Sequence, residues 1–144
     1  MTRMKSDRGT ALIETALTLP LLLLVSVGIV EFGRAYQTQQ VLTNAAREGA
    51  RIAVLPVQPA GAVQARVAAY LSAGQIADPS KATITVTATQ ISLGGVTTTS
   101  GSKVTVTYPY SFMVLQPVAR LVAKDSDVGK SFTMTATAEM RNEQ

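Results

Sequence analysis

The residues whose types and spacing could do chemistry lie in the stretch RGTALIETALTLP, residues 8–20. Glu14 stands five residues after Gly9, at the start of an apolar run. A carboxylate in hydrocarbon is costly unless it snorkels to the interface, is protonated or gains a partner. If the chain were cut after Gly9, the new α-amino group of Thr10 would lie one helical turn from Glu14. The spacing therefore indicates a processing site at Gly9 and Thr10, with Glu14 pairing with the amine of its own or an adjacent chain.

The apolar run is long enough to cross a membrane. Residues 11–32 are nearly all apolar, and no charged residue stands between Thr15 and Val30. Twenty-two helical residues rise about 33 Å, close to the ~30 Å thickness of a bilayer's hydrocarbon. Three basic residues precede the run, Arg3, Lys5 and Arg8. By the positive-inside rule the N-terminus stays cytoplasmic and the C-terminal portion is exported.

Two residues interrupt this run, and each allows a simple interpretation. Pro20 removes one backbone donor, which predicts a kink in the helix. Glu14 is close enough to the cytoplasmic end to snorkel there, without any role in assembly. A cleaved secretory signal peptide is an alternative for the whole segment. The run is long for such a signal, however, and no A-x-A-like site follows it, so a retained anchor is the better interpretation.

Composition excludes several kinds of site. The chain has no Cys and no His, which removes disulfides, thiolate metal sites and histidine acid–base chemistry. The net charge is +4, but the basic residues beyond the apolar run are scattered and not interleaved with aromatics, so we expect no nucleic-acid partner. Asp125, Asp127 and Gly129 loosely resemble a calcium loop, yet the closing Glu is missing and a solvated turn is predicted. We expect no cofactor, no metal and no enzymatic activity.

The helix is predicted to continue beyond the membrane, from Thr10 to Leu55, before Pro56 and Pro59 end it. Small residues recur at a spacing of four, at Ala45, Gly49 and Ala53, and this spacing permits close helix packing. Their partner is either the chain's own domain or a neighbouring subunit. Glu48 and Arg51 are three residues apart and are expected to pair on the opposite side.

The remainder is predicted to be a small α+β domain. A second helix is expected in AVQARVAAYLSAG, capped by Gly74, and another around residues 118–123. Apolar residues alternate with Thr in three stretches, KATITVTATQI, SKVTVTYPYSF and SFTMTATAEMR. This period of two predicts a three- to four-stranded antiparallel sheet, with its apolar face packed on the helices. Pro109 suggests that the second strand bends or lies at an edge at that position.

These elements divide the chain into four parts. A cytoplasmic leader is expected at residues 1–9, a transmembrane helix at 10–33, an exported helical stalk at 34–55 and the exported α+β domain at 56–144. The fold class is therefore α+β, with a long N-terminal helix that is half transmembrane and half exported.

The N-terminal pattern resembles a known signal. A basic leader, Gly9, four residues, Glu14 and an apolar helix are similar to the class III signal of type IV pilins and pseudopilins, which a prepilin peptidase cuts. More narrowly, EFGR at 31–34 and AAREGAR at 45–51 resemble the TadE-like family, and the closing TATAEMRNE resembles its C-terminal strand. Thr15 stands where that family usually has an aromatic residue.

The resemblance implies a structural role in assembly of a bacterial Tad/Flp-type type IV pilus, as a pseudopilin or minor pilin. It implies four kinds of partner: prepilin peptidase, other pilin and pseudopilin subunits, an inner-membrane assembly platform and the lipid bilayer. The protein would be a single-pass inner-membrane protein with a periplasmic or extracellular domain, or would enter the pilus. Two alternatives stay open, an uncleaved membrane-anchored binding module and a type II secretion pseudopilin, although the latter usually has Phe where Thr10 stands.

Overall fold

A computed structural model of the chain describes residues 3–92, 94, 98–122 and 129–142. The elements follow in this order: α1 (Arg3–Ala53), α2 (Ala62–Ala73), a 3₁₀ turn (Pro79–Lys81), β1 (Thr83–Ser92), β2 (Thr98–Tyr110), α3 (Leu115–Val122) and β3 (Phe132–Arg141). A long N-terminal helix, a short second helix and a three-stranded antiparallel sheet confirm the predicted α+β class.

The chain forms two compact units, and α1 contributes to both. The first unit comprises Met1–Arg34 and Phe112–Gly129, and the second comprises Ala35–Ser111 and Lys130–Gln144. The helical assignment of α1 runs through Pro20 without a break. Its end at Ala53 is two residues before the predicted one, and the side-chain amide of Gln58 donates a hydrogen bond to the carbonyl of Ile52 there. A side chain thus satisfies one of the carbonyls that the helix end leaves open.

The core of the second unit joins its part of α1 with α2 and β2. The side chains with no exposed surface come from all three: Leu42, Ala45, Ala46 and Ala50 of α1, Val67 and Leu71 of α2, and Val104 and Val106 of β2. Gly74 caps α2, as predicted, and donates its backbone N–H to the carbonyl of Tyr70. A Cβ at Gly74 would come within 2.4 Å of Val41, so a glycine is required here by the close approach of α1.

The sheet has the order β1-β2-β3, and every neighbouring pair is antiparallel. β2 is the central strand of the sheet, whereas Pro109 predicts a bend or an edge at its own position. The pairing with β1 ends at Thr107, however, and Pro109 is paired only with Thr133 of β3. The missing N–H of proline is therefore tolerated at a local edge.

The prediction that all three apolar faces are covered needs one correction. Val86 on β1 lies opposite Val104 on β2, on the same face of the sheet. Val104 has no exposed surface, whereas Val86 is 39% exposed. Met134 and Ala136 of β3 are also buried. Burial is thus concentrated on β2 and β3, and the apolar side of the edge strand β1 is left largely open.

Candidate processing and assembly site

The first half of α1 presents an apolar surface that is mostly exposed among the residues that the structure describes. Leu17 is 73% exposed and Leu22 is 64% exposed. In the part of the chain that the structure describes, one helix is long and apolar enough to cross a membrane, with a mean hydropathy of 2.1 in its best window and none of that window buried. An exposed apolar surface of this size requires an apolar surrounding, which a bilayer supplies.

Gly9 and Thr10 lie on this half of α1, and both are exposed. A Cβ built at Gly9 meets no atom within 4 Å outside the helix's own backbone. No packed structure in the described chain therefore obstructs the peptide bond between these two residues. A peptidase that requires a small residue before the cleaved bond would have an accessible one in Gly9.

Glu14 is exposed on the same helix, four residues after Thr10. Side chains at this spacing lie on one face of a helix. Among the side chains that the structure describes, none forms an ion pair with Glu14. Its neighbours along the helix are apolar, and Leu12, Ile13 and Leu17 are all more than half exposed. The carboxylate therefore sits in a surface that must face hydrocarbon or another apolar helix.

The hydroxyl groups in this segment are satisfied within the helix. Thr15 Oγ1 donates to the carbonyl of Ala11 at 2.8 Å, and Ser26 Oγ donates to the carbonyl of Leu22 at 2.8 Å. Such bonds to the preceding turn remove the penalty of placing a hydroxyl in hydrocarbon. The Thr that replaces the family's usual aromatic after Glu14 is thus compatible with an apolar surrounding.

Glu31 is a candidate that sequence reasoning missed. It is only 2% exposed, and its carboxylate accepts hydrogen bonds from the backbone N–H of Met113 at 2.9 Å and of Val114 at 3.4 Å. Arg34 Nη1 lies 3.7 Å from the same carboxylate. Glu31 therefore ties the end of the apolar run to the segment that leads into α3. The available signal was a charged residue directly after the run, although the sequence did not indicate its partner.

Aromatic rings meet at the same place. The rings of Phe32 and Phe112 are arranged edge to face, with centroids 5.9 Å apart. Such pairs add a modest attraction to the area that they bury. The carboxylate of Glu31 and the ring of Phe32 thus both hold the residues before α3 beside α1.

The small residues of the predicted packing surface lie within the second unit. Ala45 and Gly49 are buried, and Ala53 is half-buried. A Cβ at Gly49 would come within 2.6 Å of Val67 Cγ2 and 3.2 Å of Val104 Cγ1. Ala45 and Gly49 therefore let α1 approach its own α2 and β2 closely, which is the first of the two partners considered from the sequence.

Glu48 forms the ion pair with Arg51 that its spacing predicts. It also forms a closer pair with Arg66, which the sequence did not predict. Arg51 Nη1 lies 3.6 Å from its carboxylate, whereas Arg66 Nη2 lies 2.7 Å and Arg66 Nε 3.1 Å from Oε1. The hydrogen bond from Arg66 is the main reason that the pKa of Glu48 lies below its ordinary value. Arg66 was missed because it is on α2, and helical spacing relates only residues of the same helix.

The described residues contain no group of three or more His, Cys, Asp or Glu side chains that could hold a metal ion. Asp125 and Asp127, the loose calcium-like pair, lie outside the described residues. The site as described therefore consists of an exposed peptide bond at Gly9 and an exposed carboxylate at Glu14 on one helix.

These features define a class of protein, with an N-terminal helix that could span a membrane and an α+β domain after it. Comparison narrows this class: residues 9–51 match the family model described as TadE-like protein, which confirms the family suggested by the sequence motifs. The match begins at Gly9, includes Glu14 and Glu31, and does not reach the sheet. No curated protein and no solved structure matches the chain. The TadE-like family is a structural one and points to a protein related to the Tad pilus.

Proposed function

We propose that the protein is a pseudopilin or minor pilin of a bacterial Tad/Flp-type pilus, cut by prepilin peptidase after Gly9. The observation that carries the proposal is the carboxylate of Glu14, five residues after Gly9, on a helix surface that is apolar and exposed. The TadE-like match over residues 9–51 supports it. A cut after Gly9 creates a cation on Thr10 where the described chain offers Glu14 none.

The mechanism has three steps. The chain inserts into the inner membrane with its basic N-terminus in the cytoplasm and its domain outside. The peptidase then removes the leader, and the helix leaves the membrane sideways to join other pilin and pseudopilin subunits at the assembly platform. In a staggered helical assembly, Glu14 of one subunit meets the Thr10 amine of the next. That contact sets the register between subunits, because any other register leaves both charges unpaired in an apolar surrounding.

The experiment is co-expression of the full chain with a prepilin peptidase, followed by N-terminal sequencing of the membrane-extracted protein. We expect a mature chain that begins at Thr10. Gly9→Leu should abolish the cut, because a branched side chain replaces the hydrogen atom beside the peptide bond. Gly28→Leu is the matched control, since a Cβ there also meets nothing within 4 Å. An intact Met1, or a new N-terminus elsewhere, would overturn the proposal.

An uncleaved membrane-anchored binding module is the competing function. It is favoured by one observation, that Ala45 and Gly49 pack within their own domain and leave less of the helix for neighbouring subunits. This function requires no cut at Gly9 and no charge at Glu14. The type II secretion alternative is less well supported, because the matching family model is the TadE-like one.

A further inference from the structure

We propose that the segment from Phe112 through α3 lies in the interfacial layer of the bilayer, at the outer end of the apolar run. The segment would contact lipid directly, so that the chain meets the membrane with two elements instead of one. This inference rests on the membrane insertion that the proposed function includes. It concerns only residues of the first unit, Met1–Arg34 and Phe112–Gly129.

The position of Glu31 along α1 sets the depth of the segment. The middle of the apolar run, residues 11–32, falls between Leu21 and Leu22, and Glu31 is about 14 Å further along the helix axis at 1.5 Å per residue. Half the thickness of the hydrocarbon is about 15 Å. Glu31 therefore falls at the boundary between hydrocarbon and headgroups, and the backbone amides of Met113 and Val114 that it binds fall at the same level.

The carboxylate of Glu31 supplies hydrogen-bond acceptors for backbone N–H groups of the segment that would otherwise have none at this depth. Backbone N–H groups before the first turn of a helix have no partner within the helix. In an interfacial layer poor in water such groups are costly. Glu31 accepts hydrogen bonds from two of them and is itself 2% exposed, so its carboxylate is shielded from solvent.

The exposed side chains around this contact are apolar and continue the surface of the run. Ile29 is 70%, Val30 62% and Phe32 64% exposed on α1, and Met113 is 62% and Val114 43% exposed beside them. The sequence of α3 is strongly amphipathic, as is typical of helices that lie in a membrane interface. An apolar patch contiguous with a membrane-spanning surface is most simply covered by the same lipid.

Cations of this unit occupy positions that suit the boundary. Arg34 pairs with Glu31 and remains partly exposed, and Arg120 of α3 is exposed. Long basic side chains at this level keep their apolar stems in contact with lipid and place their charges among the phosphates. The chemistry of the patch therefore fits a phospholipid surface, with an apolar centre and basic groups at its rim.

The chain contains no Trp, so a single introduced Trp reports on one position without background. We would place it at Met113 in the full chain, reconstitute the protein in phosphatidylcholine vesicles and measure quenching by lipids brominated near the ester or deep in the acyl chain. Two matched variants serve as references: Leu23→Trp within the apolar run and Val57→Trp, at a residue that is 91% exposed in the second unit. Val114→Trp repeats the measurement one residue along.

We expect Met113→Trp and Val114→Trp to be quenched more by the shallow than by the deep bromines, and at least about twofold more than Val57→Trp. Leu23→Trp should show the opposite depth preference. If Leu23→Trp is quenched and Met113→Trp behaves like Val57→Trp, the interfacial segment is overturned while the membrane span stands. If Leu23→Trp is not quenched, membrane insertion itself fails and the inference fails with it. A blue-shifted Met113→Trp without lipid quenching would mean that protein covers the patch, which also overturns the inference.

Discussion

The two halves of α1 both contain many apolar residues, but these side chains are exposed in the first half and buried in the second. In the first half, Leu17 and Leu22 are 73% and 64% exposed. In the second half, Leu42 and Ala46 have no exposed surface, because α2 and the sheet contribute to the same core. The apolar face of the second half is therefore buried by other parts of the same chain. The first half keeps these apolar side chains exposed among the residues that the structure describes.

The carboxylates of α1 sharpen this comparison. Glu48 binds Arg66 and Arg51, and Glu31 binds two backbone amides and Arg34. Among the described side chains none pairs with Glu14. Glu31 and Glu48 thus have partners that the fold supplies. The proposed cut after Gly9 would account for this difference, because it would give Glu14 a cation at Thr10.

The largest effect is expected for Glu14→Gln, which removes the charge and keeps the shape. Incorporation into pili should fall by a factor on the order of 100, because leaving one member of a buried charge pair alone costs about 3 kcal/mol or more. The unfolding temperature of the purified variant should be unchanged, since the described chain makes no ion pair with Glu14. The measurements are immunoblotting of sheared pili and circular dichroism.

A displaced charge provides the control for this variant. Glu14→Gln combined with Thr18→Glu keeps the net charge but moves the carboxylate by one helical turn, about 6 Å deeper. If Glu14 sets the register between subunits, the double variant should not restore assembly. Restored assembly would show that only a negative charge in the helix is needed. Normal assembly of Glu14→Gln alone would show that incorporation into pili does not need the charge of Glu14.

The next largest effect is expected on the free energy of unfolding, when a leucine in each half of α1 is replaced by alanine. Leu42→Ala should lower the free energy of unfolding of the domain by about 2–5 kcal/mol, because it leaves a cavity in a packed core. Leu22→Ala should leave it within about 0.5 kcal/mol, since this side chain is 64% exposed and contributes little to the core. Urea unfolding of the detergent-solubilised full chain, followed by circular dichroism, measures both. Equal losses of unfolding free energy would contradict the division of α1 into a half that is packed in the domain core and a half that is exposed.

A smaller and local effect is expected for Glu31→Ala. The backbone amides of Met113 and Val114 lose their acceptor, and such a loss costs about 1–3 kcal/mol. Their hydrogen exchange should accelerate about 10-fold or more, while amides of β2 keep their protection. In the Met113→Trp background the same change should reduce quenching by shallow brominated lipid. Unchanged exchange at both amides would show that other contacts hold the segment.

Much of the fold was predictable because it depends on patterns within single elements. The apolar run, the alternation of Thr with Val or Ile in the strands and the glycine that caps α2 are all visible in consecutive residues. The spacing of Gly9 and Glu14 is equally local, and the TadE-like match includes both. The number of strands and the fold class therefore followed from the sequence.

What the sequence did not indicate depends on contacts between elements. Arg66 reaches Glu48 from 18 residues away, and Met113 reaches Glu31 from 82 residues away. The exposure of Val86 could not be inferred from its alternation, because alternation specifies a face and not whether anything covers that face. Pro109 indicated a local edge, but the end of the pairing between β1 and β2 at Thr107 is a property of the assembled sheet.

The smallest effect concerns Glu48, the best-paired carboxylate of α1. Its pKa in the folded chain is lowered from an ordinary value of 4.5, mainly by the hydrogen bond from Arg66. The stability that this pair contributes is therefore present above pH 4.5 and is lost as the pH falls through the lower folded-state pKa. Arg66→Gln should flatten the dependence of the unfolding midpoint on pH in this acidic range. Arg51→Gln should flatten it less, because Arg51 is 3.6 Å from the carboxylate and 71% exposed. Equal effects of the two variants in urea titrations at pH 3 to 6 would contradict this prediction. They would show that the hydrogen bond from Arg66 on α2 is not the main cause of the lowered pKa of Glu48.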